Sequence, residues 1–177
     1  NASAFPNLLL SGKSQHCTRT MPPEDLLPLH LRPVNALALD VRSSGTRLFS
    51  AGVDGLVCVW DLDYQNMTAT PRLNSKFRPH RSWIWDMKYC SHLSTVLTCS
   101  SDCTIKAWNV DTAHSALELG THRDYVKALA PSNASDWVAS GSLDRQLCLW
   151  DWRDGRNKPR WQMRTPASFY SLGSSHA

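Results

Sequence analysis

The stretch that decides the fold is HRDYVKAL at residues 122–129, followed after a short loop by VASGSLDRQLCLWD at residues 138–151. Its landmarks are His122, Ser140, Asp144 and Trp150, and the last three stand 18, 22 and 28 positions after the histidine. The same pattern occurs twice more. The copies are His80, Thr98, Asp102 and Trp108, with identical offsets, and His30, Ser50, Asp54 and Trp60, with two additional residues after the histidine. Recurrence at this spacing predicts a repeat architecture.

Each copy lies in a unit of short apolar runs that are separated by turn residues. In the first unit, Asp54-Gly55 between two such runs predicts a hairpin whose two turn positions both have positive φ. Residues 62–79 are expected to hold a fourth strand and a long connection. Four short strands per unit, with an aspartate in the turn before a strand that ends in tryptophan, predict propeller blades. Helical repeats are excluded because the runs are too short and too often interrupted by Gly, Ser and Pro.

The predicted fold is therefore all-β, with about three complete four-stranded propeller blades and the first strand of a fourth. The blades are predicted at residues 30–79, 80–121 and 122–165, and the start of the fourth at 166–177. Residues 1–29 contain four prolines and are predicted to be an irregular leader that could supply one edge strand. Because three blades and one strand cannot close a ring, we expect a fragment whose isolated chain is oligomeric or poorly soluble.

The composition is that of an ordinary globular protein without extreme charge. The net charge of +4 permits an acidic partner but does not demand one. No run of residues approaches the eighteen apolar positions of a membrane span. The six cysteines form no CxxC pair, and Cys58 and Cys148 occupy the same position in two units. We therefore expect free thiols, no metal and no cofactor in an intracellular protein of the cytoplasm or nucleus.

A histidine, a serine and an aspartate in one unit invite a hydrolase interpretation. A catalytic triad is needed once, whereas this set appears three times, and no Gly-x-Ser-x-Gly motif accompanies any copy. We therefore predict no catalytic residues. The expected role of each set is a buried hydrogen-bond relay. In this relay the tryptophan N–H donates to the hydroxyl, the hydroxyl to the histidine, and the histidine to the aspartate.

The units resemble WD repeats. Trp60-Asp61 and Trp150-Asp151 carry the dipeptide that names the family, and the four landmarks match its structural tetrad. The second unit departs mildly, with Asn109 after its tryptophan. The glycine that usually precedes the histidine is also replaced, by Leu29, Pro79 and Thr121. The strings THRDYVKALA at 121–130 and LDRQLCLWD at 143–151 are similar to the WD-repeat cofactors that activate ubiquitin-specific proteases.

This resemblance implies a non-catalytic scaffold that binds and activates a ubiquitin-specific protease, with ubiquitin itself as a second candidate partner. Neither nucleic acid nor a membrane is an expected partner, and the basic segments at 72–81 and 153–164 are interpreted as solvated blade edges. The alternative is a generic WD-repeat scaffold, such as a ubiquitin-ligase substrate receptor or an RNA-processing subunit.

In WD-repeat proteins, partners often dock on the top face, beside the entrance of each inner strand. The resemblance therefore implies a set of partner-binding residues, which are Asn35, Trp83, Trp85, Tyr125, Lys127 and Leu143. Trp, Tyr and basic side chains are enriched among binding hot spots. For Trp83 and Trp85, the alternative is ordinary packing between blades.

Overall fold

The computed structural model describes residues 30–42, 45–62, 71–110, 116–132, 135–153 and 157–173. The predicted leader at 1–29 lies outside these residues. Within them, twelve strands follow one another. They are β1 (Val34–Arg42), β2 (Gly45–Gly52), β3 (Val57–Leu62), β4 (Arg72–Phe77), β5 (Ile84–Cys90), β6 (Thr95–Ser100), β7 (Thr104–Asn109), β8 (Ala116–Thr121), β9 (Val126–Pro131), β10 (Trp137–Ser142), β11 (Gln146–Asp151) and β12 (Trp161–Arg164). No helix of the described residues is long and apolar enough to cross a membrane.

The strands form three antiparallel sheets of four, each built from consecutive strands. Their orders are β1-β2-β3-β4, β5-β6-β7-β8 and β9-β10-β11-β12. The first strand of each sheet contacts the first strand of the next, so β1, β5 and β9 are the inner strands. The predicted all-β fold of a partial propeller is thereby confirmed. We call the three sheets the first, second and third blade.

The start of a fourth blade follows β12, at residues 166–173. The Phe169 N–H donates to the Ser142 carbonyl at 3.3 Å, and the Ser168 hydroxyl donates to the Leu143 carbonyl at 3.1 Å. The Phe169 side chain packs against Gly141, where a Cβ atom would crowd its ring. This partial strand joins no sheet of the described residues, but it covers part of the free side of the third blade.

The core lies between the blades, because alternate residues of a strand point to opposite faces of its sheet. Between the first and second blades, Phe49 and Val57 pack against Ile84 and Met87. Between the second and third blades, a larger cluster contains Leu97, Ile105, Val126, Leu129 and Trp150. Each blade is therefore stabilised mainly by burial of apolar surface against its neighbours.

The far side of the first blade is open. Leu37 stands seven positions after its tetrad histidine, as do Met87 and Leu129 in the other blades. Met87 is 1% exposed and Leu129 is 0% exposed, because the preceding blade covers them. Leu37 is 63% exposed, and Leu39 and Val41 on the same face are exposed as well. The same strand position is thus either core or surface, depending only on whether a blade lies against it.

The turn after β2 differs from the predicted two-residue hairpin. The Gly55 N–H donates to the Gly52 carbonyl at 3.1 Å, and of the two predicted turn positions only Gly55 has positive φ, at 73°. The prediction for Asp54 was wrong because the turn is longer, with a left-handed residue at its end. Cys103 and Arg145 occupy this position in the other blades, with φ of 68° and 65°. These two residues carry backbone strain that glycine avoids.

The tryptophans of the second and third blades pack differently on the blade before them. Gly120 and Phe77 hold matching positions, since each pairs with the residue three after the turn aspartate. The Trp150 ring lies on Gly120, where a Cβ atom would overlap it. Trp108 instead meets the Phe77 ring, with centroids 4.9 Å apart and planes tilted by 42°. Because Gly120 has no Cβ atom, the Trp150 ring packs closely enough to be fully buried, whereas Trp108 stays partly exposed.

We expect Gly120→Ala to lower the free energy of unfolding by about 1–3 kcal/mol, because the new methyl group overpacks the Trp150 ring. Denaturant-induced unfolding followed by tryptophan fluorescence measures this. The matched control is Gly173→Ala, where a Cβ atom meets nothing within 4 Å. A Gly120→Ala protein as stable as the Gly173→Ala protein would contradict the packing described here.

Candidate functional site

The predicted tetrad of the third blade is assembled in the structure. His122 Nδ1 lies 3.0 Å from Asp144 Oδ2, and His122 Nε2 lies 2.7 Å from the Ser140 hydroxyl. The Trp150 indole N–H donates to the same hydroxyl at 2.7 Å. Because a carboxylate only accepts, Nδ1 carries the histidine proton, and Nε2 accepts from the serine. The donors therefore run from tryptophan to serine to histidine to aspartate.

The first blade has the same arrangement. His30 Nδ1 lies 3.0 Å from Asp54 Oδ2, and His30 Nε2 lies 2.9 Å from the Ser50 hydroxyl. The Trp60 indole N–H donates to that hydroxyl at 2.9 Å. The two additional residues after His30 therefore leave the relay intact. They lie beyond Leu37 in the β1–β2 hairpin, because Leu37 pairs with Ser50 just as Met87 pairs with Thr98, and the pairing of β1 with β2 continues to Arg42 and Gly45.

The second blade lacks one of the predicted bonds. His80 contacts Asp102 at 2.9 Å and the Thr98 hydroxyl at 2.8 Å, as in the other blades. The Trp108 indole nitrogen is buried without a hydrogen-bond partner among the described residues. The expected Trp108–Thr98 bond is therefore not formed. The physical reason is the Phe77 ring, which stands against this indole at the position that matches Gly120.

These contacts have the connectivity of a Ser-His-Asp triad, but they cannot perform its chemistry. The Ser140 side chain has no exposed surface, and His122 is buried. The serine oxygen already accepts the Trp150 N–H, so a substrate carbonyl can neither reach it nor find it free. The tetrads therefore tie each blade together, since a buried polar group is favourable only when it is paired.

The relay shifts the pKa values of the groups in the third blade. Burial alone would raise the pKa of Asp144, but the backbone N–H groups of Arg123 and Gln146, followed by His122, hold it below its usual value. Burial lowers the pKa of His122, and the nearby Asp144 offsets only part of this effect. His122 is therefore neutral and Asp144 charged at neutral pH.

The aspartate of the second blade behaves in the same way. Burial would raise the pKa of Asp102, but hydrogen bonds from His80 and Thr104 more than offset it and hold the pKa well below its usual value. The Thr104 hydroxyl donates to Asp102 Oδ1 at 2.6 Å, a contact that the sequence pattern did not suggest. Thr104 therefore adds a hydrogen bond at the aspartate end of the second tetrad, whose other end lacks the tryptophan bond.

No disulfide joins any two of the described cysteines. Burial raises the pKa of Cys58, Cys90 and Cys148 to about 11, and that of Cys99 well above its usual value. These thiols stay protonated at neutral pH and are poor nucleophiles and poor metal ligands. No group of His, Cys, Asp or Glu within the described ranges is arranged to hold a metal ion.

The top face is held by one backbone hydrogen bond that recurs in every blade. The residue before each tetrad aspartate donates its N–H to the carbonyl of the residue before each inner strand. The three bonds are Val53 to Pro33 at 2.9 Å, Ser101 to Trp83 at 2.9 Å and Leu143 to Tyr125 at 3.0 Å. Turn residues and strand entrances therefore lie side by side on this face.

Three of the predicted partner-binding residues form a cluster across the second and third blades. Trp83 and Trp85 meet edge to face with centroids 5.5 Å apart. The Trp85 N–H donates to the Ser101 hydroxyl at 2.6 Å, and Lys127 Nζ lies over the Trp85 ring, 2.7 Å from its centroid. Burial lowers the pKa of Lys127. The Trp85 ring is thus already in contact with other residues of the chain.

The predicted partner-binding residues differ in how much side-chain surface they expose to a partner. Trp83 is 44% exposed and Tyr125 is 45% exposed, so both present aromatic surface. Asn35 donates its side-chain N–H to the Ile84 carbonyl at 2.8 Å and ties the first blade to the second. Leu143 is partly covered. The accessible apolar surface of the predicted set is therefore concentrated at Trp83 and Tyr125.

Two features of this face were missed from the sequence. Asp86 Oδ2 accepts the Leu129 N–H at 2.9 Å and ties the second blade to the third. Exposed arginines also stand on the top loops, and these are Arg32, Arg81, Arg123 and Arg145. A signal for the first three was present, because an arginine follows every tetrad histidine within two positions.

Acidification from pH 7.5 to 5.5 is expected to lower the free energy of unfolding. The unfolded chain protonates His122 near pH 6.5, whereas the folded chain resists this because burial lowers its pKa. The unfolded state therefore binds more protons in this range, and stability falls as the pH falls. Urea unfolding at both pH values measures the difference.

The control for this prediction is His122→Gln, which removes the titrating group. Its stability is expected to change less between the two pH values than that of the wild type, whatever its absolute stability. An equal change in both proteins would show that His122 does not carry the pH dependence.

Comparison with known proteins identifies the repeat. The family model "WD domain, G-beta repeat" matches residues 22–61, 71–109 and 114–151, which is more than half of the chain. The crystal structure of the computationally designed Ika4 protein is similar in fold, with a TM-score of 0.67 and 24% sequence identity. The match covers 85% of this chain and 84% of that one. Each matched repeat contains one tetrad, and the second and third matches begin with the last strand of the preceding blade, β4 or β8, and end with β7 or β11. The chain therefore belongs to the WD-repeat family.

Proposed function

We propose that this chain is the part of a WD-repeat scaffold that binds a ubiquitin-specific protease through its top face and activates it. As a WD-repeat chain it is a protein-interaction scaffold. The observation that carries the proposal is the exposed pair Trp83 and Tyr125 on a face held by recurring backbone hydrogen bonds. Large aromatic side chains on a rigid surface lose little entropy on binding and dominate binding energy.

The resemblance to the cofactors of ubiquitin-specific proteases supports the choice of partner. The strings that carry it, at 121–130 and 143–151, contain Tyr125, Lys127 and Leu143. They also contain His122 and Asp144, which hold the same loops. The residues that are similar to the subfamily are thus on the surface proposed for docking, as well as in the tetrad that every WD repeat uses.

The proposed mechanism is a shift of the protease toward its productive conformation. A rigid face that binds this conformation more tightly raises its population by the difference in affinity. The face is rigid because the Arg81 and Arg123 backbone N–H groups are bonded to the tetrad aspartates, at 3.2 Å and 3.0 Å. The scaffold donates no catalytic group and has no activity of its own in this mechanism.

The test measures hydrolysis of a fluorogenic ubiquitin substrate by a panel of purified ubiquitin-specific proteases, with and without this chain. At least one protease is expected to show a higher kcat/KM with the chain present. Trp83→Ala and Tyr125→Ala are expected to weaken the activating complex about tenfold each or more, as for central aromatic anchors.

The matched control is Trp161→Ala, which removes an equally exposed tryptophan (49%) from β12 at the outer edge of the third blade. This variant is expected to activate normally. Unchanged turnover across the panel, together with no co-purifying protease, would refute the proposal. Co-purification of ubiquitin-ligase or RNA-processing subunits would favour the generic scaffold instead.

A further inference from the structure

The top loops present four arginines to solvent. These arginines are Arg32, Arg81, Arg123 and Arg145. Their guanidinium groups form no ion pair within the described part of the chain. An exposed arginine without an acidic partner can bind a carboxylate through two parallel hydrogen bonds, which is the strongest of the common charge-assisted contacts. Arg72, Arg78 and Arg164, on or beside the outer strands, are also exposed without an ion pair among the described residues. Arg47 on β2 and Arg160 before β12 contact Asp61 and Asp151. The top-loop arginines therefore differ from the other exposed arginines in their position beside Trp83 and Tyr125.

The tetrads fix the position of two of these arginines. The Arg81 N–H donates to Asp102 Oδ2, and the Arg123 N–H donates to Asp144 Oδ2. The aspartates point inward to their histidines, so the arginine side chains start from a rigid backbone and point outward. A partner that binds them does not have to order these loops, which lowers the entropic cost of association.

The same loops place the arginines beside the exposed aromatic side chains. Arg81 stands two positions before Trp83, and Arg123 two positions before Tyr125. We define the top patch as the residues of these two loops and the adjoining ring cluster, which are Arg81, Trp83, Trp85, Arg123, Tyr125 and Lys127. Because Lys127 already occupies the Trp85 ring, a cationic ligand would be repelled from it.

Acidic groups lie within and beneath the patch and limit its long-range field. Asp102, Asp124 and Asp144 all lie close enough to raise the pKa of the Cys103 thiol, although its burial has the larger effect. Asp102 and Asp144 bond inward to their histidines, whereas Asp124 lies on the top loop, where its Oδ1 accepts the Tyr125 N–H at 2.7 Å. Together these carboxylates offset the arginines at a distance, so the face lacks the strong continuous positive potential that draws a nucleic-acid backbone. Discrete carboxylates that touch the guanidinium groups are the better match.

We propose that the top patch binds an acidic peptide segment with an aromatic or large apolar residue at its centre. The central residue packs against Trp83 and Tyr125, and flanking carboxylates bind Arg81 and Arg123. This inference rests on the proposed docking at the top face and names the chemistry of the partner segment. It does not require that the partner be a protease.

The test is fluorescence anisotropy with a fluorescein-labelled peptide in which glutamates and aspartates flank a single tryptophan. The full chain is expected to bind it, with an affinity that falls as salt is added. The double variant Arg81→Gln/Arg123→Gln is expected to bind at least about tenfold more weakly, as is usual for lost hot spots. Thermal unfolding of each variant verifies that the fold is retained.

The control is Arg72→Gln/Lys158→Gln, which removes the same charge from exposed positions on the first and third blades outside the top loops. It is expected to bind the peptide within about twofold of the wild type, because surface charges beyond a Debye length are screened. Equal losses in both double variants would overturn the proposal, because only net charge would then matter. Equal binding of a peptide with lysines flanking the tryptophan would overturn it too.

Three further outcomes separate this inference from its alternatives. Tighter binding of oligouridine than of the peptide, lost in the Arg81/Arg123 variant, would replace the acidic peptide with nucleic acid. Peptide binding without protease activation would uphold this inference and refute the proposed function. Protease activation that needs Trp83 but neither arginine, with no peptide binding, would refute this inference alone.

Discussion

The structure depends on a hydroxyl group buried between a histidine and a tryptophan. In the third blade the Ser140 oxygen lies 2.7 Å from both His122 Nε2 and Trp150 Nε1, and Asp144 completes the chain of donors. The relay joins the turn before β11 to the loop before β9 and includes residues of β10 and β11. Its aspartate also accepts the Arg123 N–H, which sets the backbone of the top face. One buried network therefore governs both the blade and the surface that partners meet.

The relay can lose one of its hydrogen bonds where other contacts offset the loss. The second blade loses the tryptophan bond because Phe77 occupies the space that Gly120 leaves in the next interface. An unpaired buried N–H is costly. Contact between the Trp108 and Phe77 rings and the Thr104 hydroxyl bond to Asp102 offset part of that cost. The two interfaces between blades are thus packed with different side chains on the same backbone arrangement.

The top face combines exposed aromatic side chains and exposed arginines, and each is exposed for a different structural reason. Trp83 and Tyr125 are exposed because they precede the inner strands, outside the sheet ladder. The arginines are exposed because their backbone N–H groups, rather than their side chains, satisfy the tetrad aspartates. Lys127 covers the Trp85 ring, so the accessible aromatic surface is smaller than the number of aromatic residues suggests.

The spacing of His, Ser or Thr, Asp and Trp was enough to predict the blades, because a relay between fixed strand positions requires fixed offsets. The alternation of apolar residues likewise predicted the strands. Other features depended on neighbours that no local pattern contains. The failed Trp108 bond reflects the register of β4, and the single positive φ at Gly55 reflects a turn longer than its sequence suggested. Leu37 and Met87 hold equivalent positions, yet only the packing of one blade on another makes the first surface and the second core.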